Sequence, residues 1–183
     1  VGGSGDWDTT VMGVELGYLT IKNWNVSTGN FFTDQDVSNR AKVAVLGATV
    51  ATKLFDGSDP IGQSVRIGTT PFTIVGVLEK KGATGMGNDQ DDVIMVPLDT
   101  AVNRLSRGRN LDSIAVSVVR DDLMDRAQDE IDIIMRESHR LSATADADYE
   151  VMNMADIIKT ASQTSKSLTM LLAAIAGVSL VVG

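Results

Sequence analysis

The sequence ends in sixteen residues without a charged side chain, Leu168 to Gly183 (LTMLLAAIAGVSLVVG). As a helix this run would cover roughly 24 Å, at about 1.5 Å per residue, whereas crossing the hydrocarbon core of a bilayer takes about 20 residues. A helix on the surface of a soluble protein normally carries charged residues on its outer face. The run therefore predicts a transmembrane helix that is cut short. The alternative is a buried helix of a soluble core.

The helical spacing of apolar residues begins well before this run. From Met154 to Ala176 no glycine or proline interrupts the chain. This pattern predicts one helix that leaves a soluble domain as a stalk and enters the membrane. The residues expected to couple the domain to the membrane share one helical spacing: Ile157, Ile158, Ala161, Leu168, Leu171, Leu172 and Ile175.

The composition of the chain is that of a folded, acidic protein. Of its 183 residues 43% are hydrophobic and 22% are charged, and the net charge is -8. This acidity argues against nucleic acid as a partner, because a surface of this charge repels phosphates. The chain has no cysteine, which excludes disulfides and thiolate metal sites.

The N-terminal part of the sequence alternates between strand and helix patterns. Apolar runs closed by glycine or turn residues are typical of buried strands, and the strongest turn signal is Asp56 to Pro60. The patterns predict a strand over Thr9 to Val14, a short helix within Leu16 to Trp24, a buried strand over Val43 to Leu46 and a helix from Ala48 to Phe55.

After the turn at Asp56 the apolar period changes to two. Val65, Ile67, Phe72 and Ile74 alternate with polar residues, which predicts a hairpin, and Gly76 within this pattern predicts a bulge. Residues 80–92 are rich in glycine and aspartate and are expected to form a mobile loop. A strand over Val93 to Val96 and a short helix over Leu98 to Leu105 follow.

Residues 111–153 are predicted to form a β-α-β unit. Ile114, Val116 and Val118 alternate as one strand, and residues 149–152 form the second. Between them, Asp121 and Asp122 precede a predicted amphipathic helix. Its apolar side is expected to contain Leu123, Ala127, Ile131, Ile134 and Met135.

The sequence offers little catalytic chemistry. Asp89, Asp91 and Asp92 present oxygen ligands that suit calcium, but EF-hand spacing and its closing glutamate are missing, so a solvated loop is favoured over a metal site. His139 lies among arginines at a predicted helix end, where positive charge complements the helix dipole. No phosphate-binding glycine motif is present. We therefore assign no catalytic or cofactor-binding residue, and we expect the aromatic residues Tyr18, Trp24, Phe31 and Phe32 to be core rather than the lining of a ligand groove.

The ordered motifs resemble those of one membrane-protein family. Val43 to Val77 (VAVLGATVATKLFDGSDPIGQSVRIGTTPFTIVGV), Gly87 to Thr100 (GNDQDDVIMVPLDT) and Val178 to Gly183 (VSLVVG) are similar to the extracytoplasmic domain of MacB-type ABC transporter permeases, in the FtsX-like superfamily.

The resemblance implies an α+β fold in three parts. Residues 1–110 would form a Sabre-like mixed α/β subdomain, residues 111–153 the second half (β-α-β) of a Porter-like subdomain, and residues 154–183 a stalk with a truncated transmembrane helix. The other half of the Porter-like subdomain and the remaining membrane helices would lie in sequence that this chain lacks.

The resemblance also implies a function. The domain would lie on the periplasmic side of the bacterial inner membrane, in a permease homodimer, and would couple cytoplasmic ATP hydrolysis to conformational change for export. No cofactor is expected in this chain, because ATP and magnesium would be bound by a cytoplasmic ATPase domain or subunit. A periplasmic adaptor protein is a further partner that the resemblance suggests. The alternative is a regulatory or lipoprotein-handling FtsX- or Lol-like permease domain.

Overall fold

The computed structural model describes residues 5–84, 87–105, 111–142 and 144–182, with side chains described as far as residue 176. The chain divides into two compact units, Val1–Ser117 and Val118–Gly183. The predicted three-part division and its Sabre-like and Porter-like assignments stay predictions, and residue 110 lies outside the described residues.

The first unit contains a six-stranded mixed sheet. Its strands are β1 (Thr10–Val14), β2 (Val26–Gly29), β3 (Val43–Leu46), β4 (Ser64–Ile67), β5 (Thr70–Leu78) and β6 (Val93–Pro97). The order across the sheet is β1-β6-β3-β5-β2, and β4 pairs with the first half of β5. The β1–β6 and β3–β5 pairs are parallel, whereas β6 runs antiparallel to β3, and β2 and β4 run antiparallel to β5. With its helices this sheet confirms the predicted α+β class.

Both faces of the sheet are covered. One face packs Val45, Leu78 and Met95 with Trp24 and Phe32, below the helices α1 (Tyr18–Ile21) and α2 (Asp34–Ser38). Trp24 and Phe32 are therefore core, as predicted. The opposite face packs against α3 (Ala48–Phe55) and α4 (Leu98–Arg104), and α3 contributes Val50 and Phe55 to this cluster. The strand residues of the cluster are Ala44, Leu46, Phe72, Ile74, Ile94 and Val96.

Two glycines permit the close approaches that build this sheet. The bulge predicted at Gly76 is present, because β3 pairs Ala44 with Ile74 but Val45 with Gly76. A Cβ at Gly76 would collide with the carbonyl oxygen of Asn30. At Gly47, between β3 and α3, a Cβ would collide with the carbonyl oxygen of Asp91. Each position therefore requires glycine for backbone contact rather than for an unusual torsion angle.

The second unit contains two long helices. A 3-10 turn at Asp121–Leu123 leads into α5 (Met124–Ser138), close to the predicted start, and α6 covers Met154–Val182. On α5, Ala127, Ile131 and Met135 are half-buried as expected, but Ile134 is 62% exposed. Within the described residues the unit buries no residue fully, so its apolar surface is incompletely covered.

The two strands predicted around α5 are not formed. Neither Ile114–Val118 nor residues 149–152 belong to a strand, and Ile114, Val116 and Met152 are more than half exposed. A strand needs a neighbour to accept and donate its backbone hydrogen bonds. No such neighbour lies beside these segments in the part of the chain that the structure describes. The predicted β-α-β unit is therefore correct only for its helix.

Candidate functional site

The predicted stalk is a continuous helix with a capped start. Asn153 precedes α6, and its side-chain oxygen accepts a hydrogen bond from the amide of Ala155 at 2.9 Å. The amide of Ile157 donates to the carbonyl of Asn153 at 3.2 Å, which closes the first helical turn. Asp156 lies in this turn, where its charge complements the positive helix N-terminus. The start of α6 is therefore specified locally by its own residues.

The seven predicted coupling residues share one side of α6. At about 100° per residue they fall within roughly 140° of the helix circumference. Lys159 and Lys166 lie on the opposite side. The structure brings the seven onto one surface, which we call the α6 stripe: Ile157, Ile158, Ala161, Leu168, Leu171, Leu172 and Ile175.

The α6 stripe is exposed. Leu168, Leu172 and Ile175 are 56%, 67% and 63% exposed, and Ile157 is the most covered of the large residues at 38%. Such a row of uncovered apolar side chains is typical of a surface that meets another helix or lipid. Among the described residues, no helix combines the length and the hydrophobicity needed to span a membrane. The truncated transmembrane helix stays a prediction, as does the coupling role of the stripe.

A polar network fixes the loop between α5 and α6. The Tyr149 hydroxyl donates to the Asp132 carboxylate at 2.6 Å, and Arg136 donates to the same carboxylate at 3.0 Å. Arg136 also donates to the carbonyls of Ser142 and Ala145 at 3.4 and 3.1 Å. The hydrogen bond from Tyr149, with the help of Arg136, lowers the pKa of Asp132. Burial, together with this bond, raises the pKa of Tyr149.

The only histidine of the chain belongs to the same loop. His139 follows α5, and its Nδ1 lies 2.8 Å from Oδ1 of Asp148. Its ring meets the ring of Tyr149 edge-on, with the centroids 5.8 Å apart. These contacts give His139 a structural role, because they hold the loop against the C-terminal end of α5.

The aspartates considered for calcium have separate structural roles. Asp91 is fully buried and accepts hydrogen bonds from the amides of Lys81 and Gly82, both at 2.8 Å. Asp89 accepts from the Thr49 hydroxyl at 2.7 Å, and this bond lowers the pKa of Asp89. Asp92 accepts from Nε1 of Trp7 at 2.9 Å. Within the described residues no three acidic, histidine or cysteine side chains group in a way that holds a metal ion.

The loop over residues 80–92 is thus an organised element wherever the structure describes it. Thr84 donates its amide to Asn88, and Ala83 and Asp89 form a β-bridge. The predicted loop is confirmed for these residues, and Asp91 closes it with two backbone hydrogen bonds, whereas its mobility stays a prediction. Gly85, one of its predicted glycines, lies outside the described residues.

Comparison with known proteins identifies the family. The described residues thus comprise a mixed-sheet unit and a second unit that contains the long exposed helix α6. Residues 1–134 match the MacB-like periplasmic core domain. The chain belongs to this family, as its motifs predicted.

Named relatives match almost the whole chain. The "Macrolide export ATP-binding/permease protein MacB" of Azoarcus sp. (strain BH72) is 39% identical over 178 residues, which is 97% of this chain and 26% of the relative. The "Pyoverdine export ATP-binding/permease protein PvdT" of Pseudomonas entomophila is 34% identical over 184 residues, 100% of this chain and 26% of the relative. The chain therefore spans about a quarter of the length of these relatives.

A solved structure shows the same fold. The crystal structure of the periplasmic region of MacB from Actinobacillus actinomycetemcomitans superposes with a TM-score of 0.68 at 22% identity. The superposition covers 83% of this chain and 64% of that one.

Proposed function

We propose that this chain is the extracytoplasmic domain of an ABC exporter permease, and that α6 couples it to ATP hydrolysis in the cytoplasm. The observation that carries this proposal is the match to ATP-binding/permease export proteins over nearly the entire chain, α6 included. Both names denote export, which favours export over the regulatory or lipoprotein-handling alternative. Because the cargoes in the two names differ, we assign no cargo.

The proposal places the chain on the periplasmic side of the inner membrane. The ATP and magnesium of the transporter would be bound by a cytoplasmic ATPase domain or subunit. The permease would act as a homodimer, and the exposed α6 stripe supports this arrangement, because a second copy of the helix would cover its apolar residues. A periplasmic adaptor protein would be a further partner of the dimer.

The geometry of α6 suits the transmission of movement. Its 29 residues extend over about 43 Å, at about 1.5 Å per residue. Each interior turn is closed by backbone hydrogen bonds, and the hydroxyls of Thr164 and Thr169 donate back to the carbonyls of Thr160 and Ser165. A continuous helix moves as a stiff rod, whereas a glycine-rich linker absorbs displacement. An axial or rotational movement at one end of α6 would therefore reach the other.

The test separates stiffness from length. In the full-length transporter, Gly-Gly or Ala-Ala is inserted after Ser165. Both insertions add two residues and rotate the following helix equally, but each glycine weakens the helix by about 1 kcal/mol relative to alanine. We expect the Gly-Gly protein to hydrolyse ATP while its export falls well below that of the Ala-Ala protein. Equal export by the two proteins at equal membrane abundance would contradict the coupling role.

A further inference from the structure

A groove in the first unit is not used by the proposed coupling mechanism. Its volume is about 870 Å³, within the range of binding clefts. It is lined by the irregular segment Gly5–Thr9, by β4 and by the end of α3. Its accessible apolar lining comes from the half-buried residues Leu54, Val65 and Ile67, whereas Phe55 and Ile94 are buried beneath it.

Strand β4 lies at the edge of the sheet beside this groove. Among the described residues it pairs only with β5, and the register places Arg66 opposite Pro71. Proline has no backbone N–H, so Arg66 and Pro71 form a pair that exchanges no hydrogen bonds. The N–H and C=O of Arg66 therefore point away from β5, and by alternation so do those of Ser64. No other described residue accepts or donates to these groups.

The groove follows this free edge. Ser64 and Arg66 are exposed, Val65 and Ile67 are half-buried, and all four line the groove. Because neighbouring residues of a strand point to opposite faces, a groove lined by both sets runs along the backbone. Asp6 and Asp8 add two carboxylates to the lining and Arg66 adds one guanidinium, so its charged side chains sum to one negative charge. The site thus combines unpaired backbone groups, half-buried apolar side chains and a net negative charge.

We propose that the edge of β4 binds an extended segment of a partner polypeptide by strand addition. The incoming strand would lie about 4.8 Å from β4 and exchange backbone hydrogen bonds with Ser64 and Arg66. Its alternate apolar side chains would contact the half-buried residues Leu54, Val65 and Ile67 of the groove. A basic residue at its end would be attracted by Asp6 and Asp8.

The test uses the full chain and a defined probe, the rhodamine-labelled peptide acetyl-Lys-Val-Thr-Val-Thr-Val-Lys-amide, with binding followed by fluorescence anisotropy. Two further peptides carry N-methyl groups on one or the other alternate set of amides. Strand addition exposes only one set to β4, so one methylated peptide should bind at least about tenfold more weakly while the other binds like the parent. Binding that is unchanged in both peptides, or reduced equally in both, overturns the proposal and indicates unspecific apolar contact. No binding of the parent peptide at about 1 mM also overturns it.

Two variants of one residue make the matched comparison in the protein. Arg66→Pro removes the outward N–H without removing a hydrogen bond to β5, and Arg66→Gln removes the charge but keeps the N–H. We expect Arg66→Pro to lose the probe at least about tenfold and Arg66→Gln to keep it. Probe binding by folded Arg66→Pro at wild-type affinity contradicts the proposal. Folding is checked by far-UV circular dichroism, and if Arg66→Pro does not fold, the methylated peptides on the wild-type chain decide.

Discussion

At the scale of single residues, Asp91 determines the shape of the loop beside α3. Its carboxylate is buried and binds two consecutive backbone amides, those of Lys81 and Gly82. Hydrogen bonds to a charged acceptor are stronger than those between neutral groups, which offsets part of the cost of burying the charge. The composition of residues 80–92 shows many turn formers but does not show that one aspartate among three is buried.

We expect Asp91→Ala to lower the free energy of unfolding by about 2 kcal/mol or more, because two amide donors lose their acceptor. Urea denaturation measures this change, and amide hydrogen exchange at Lys81 and Gly82 should become faster. Asp92→Ala is the neighbouring control. It removes only a surface hydrogen bond to Trp7 and should cost less than about 1 kcal/mol. Equal losses in the two variants would show that the buried hydrogen bonds of Asp91 contribute no more to stability than the surface hydrogen bond of Asp92.

A second residue-scale prediction concerns pH. The hydroxyl of Tyr149 lowers the pKa of Asp132 below its usual value of 3.8. A carboxylate with a lowered pKa stabilises the folded state above its unfolded pKa, and this contribution disappears as the pH falls through its folded pKa. Tyr149→Phe should therefore raise the pKa of Asp132 and destabilise the second unit near pH 6, with the difference vanishing in acid. NMR titration of the Asp132 carboxyl carbon measures the shift, and an unchanged pKa would refute the assigned cause.

At the scale of elements, local patterns in the sequence predicted most of the first unit, but not the short strand β2 and the short helix α2. The predicted strand Val43–Leu46 and helix Ala48–Phe55 have these same bounds in the structure. The helix ends as its turn signal indicated, because Asp56 and Gly57 both adopt positive φ angles. These elements could be predicted because their neighbours in the sheet and core lie within the chain, so local preference and tertiary packing agree.

The elements of residues 111–153 show where this agreement ends. The alternation of Ile114, Val116 and Val118 is a valid strand pattern, but alternation specifies only which side chains share a face. Pairing depends on a second strand, and none of the described strands pairs with this segment. The groove and the free edge of β4 could not be predicted from the sequence either. The sequence predicted β4 as half of a hairpin, but its position at the sheet edge depends on the order of all six strands.

The α6 stripe leads to a prediction about the helix itself. The natural sequence of this chain has no cysteine, so single cysteines can be introduced into it, in a full-length transporter whose other cysteines are removed. Leu168→Cys lies in the stripe, whereas Lys166→Cys lies at nearly the same height on the opposite side. In the proposed homodimer, mild oxidation in membranes should cross-link the Leu168→Cys copies and leave Lys166→Cys monomeric on a non-reducing gel. The reverse result would place a different face of α6 at the contact.

At the scale of the whole molecule, the buried core is distributed unequally. Both apolar clusters are built from residues between Val14 and Val96, and the fully buried residues of the described chain lie before residue 101. The second unit keeps exposed apolar residues on α5 and α6, such as Ile133, Ile134 and Leu172. Burial of apolar area is the main source of folding free energy, so the two units should differ in stability. In the proposed coupling mechanism, the second unit would cover its exposed apolar residues with partner surfaces.

This inequality can be tested by separating the units. We expect residues 1–117 alone to unfold cooperatively in urea, at a midpoint close to that of the main transition of the full chain, because both apolar clusters are retained. We expect residues 118–183 alone to be helical by circular dichroism but to lose this signal gradually, because the fragment has no core to make unfolding cooperative. The full chain under the same conditions is the reference. A sharp transition in the second fragment would show that this unit has a cooperative core of its own. An unfolded first fragment would show that the first unit needs the second for its stability.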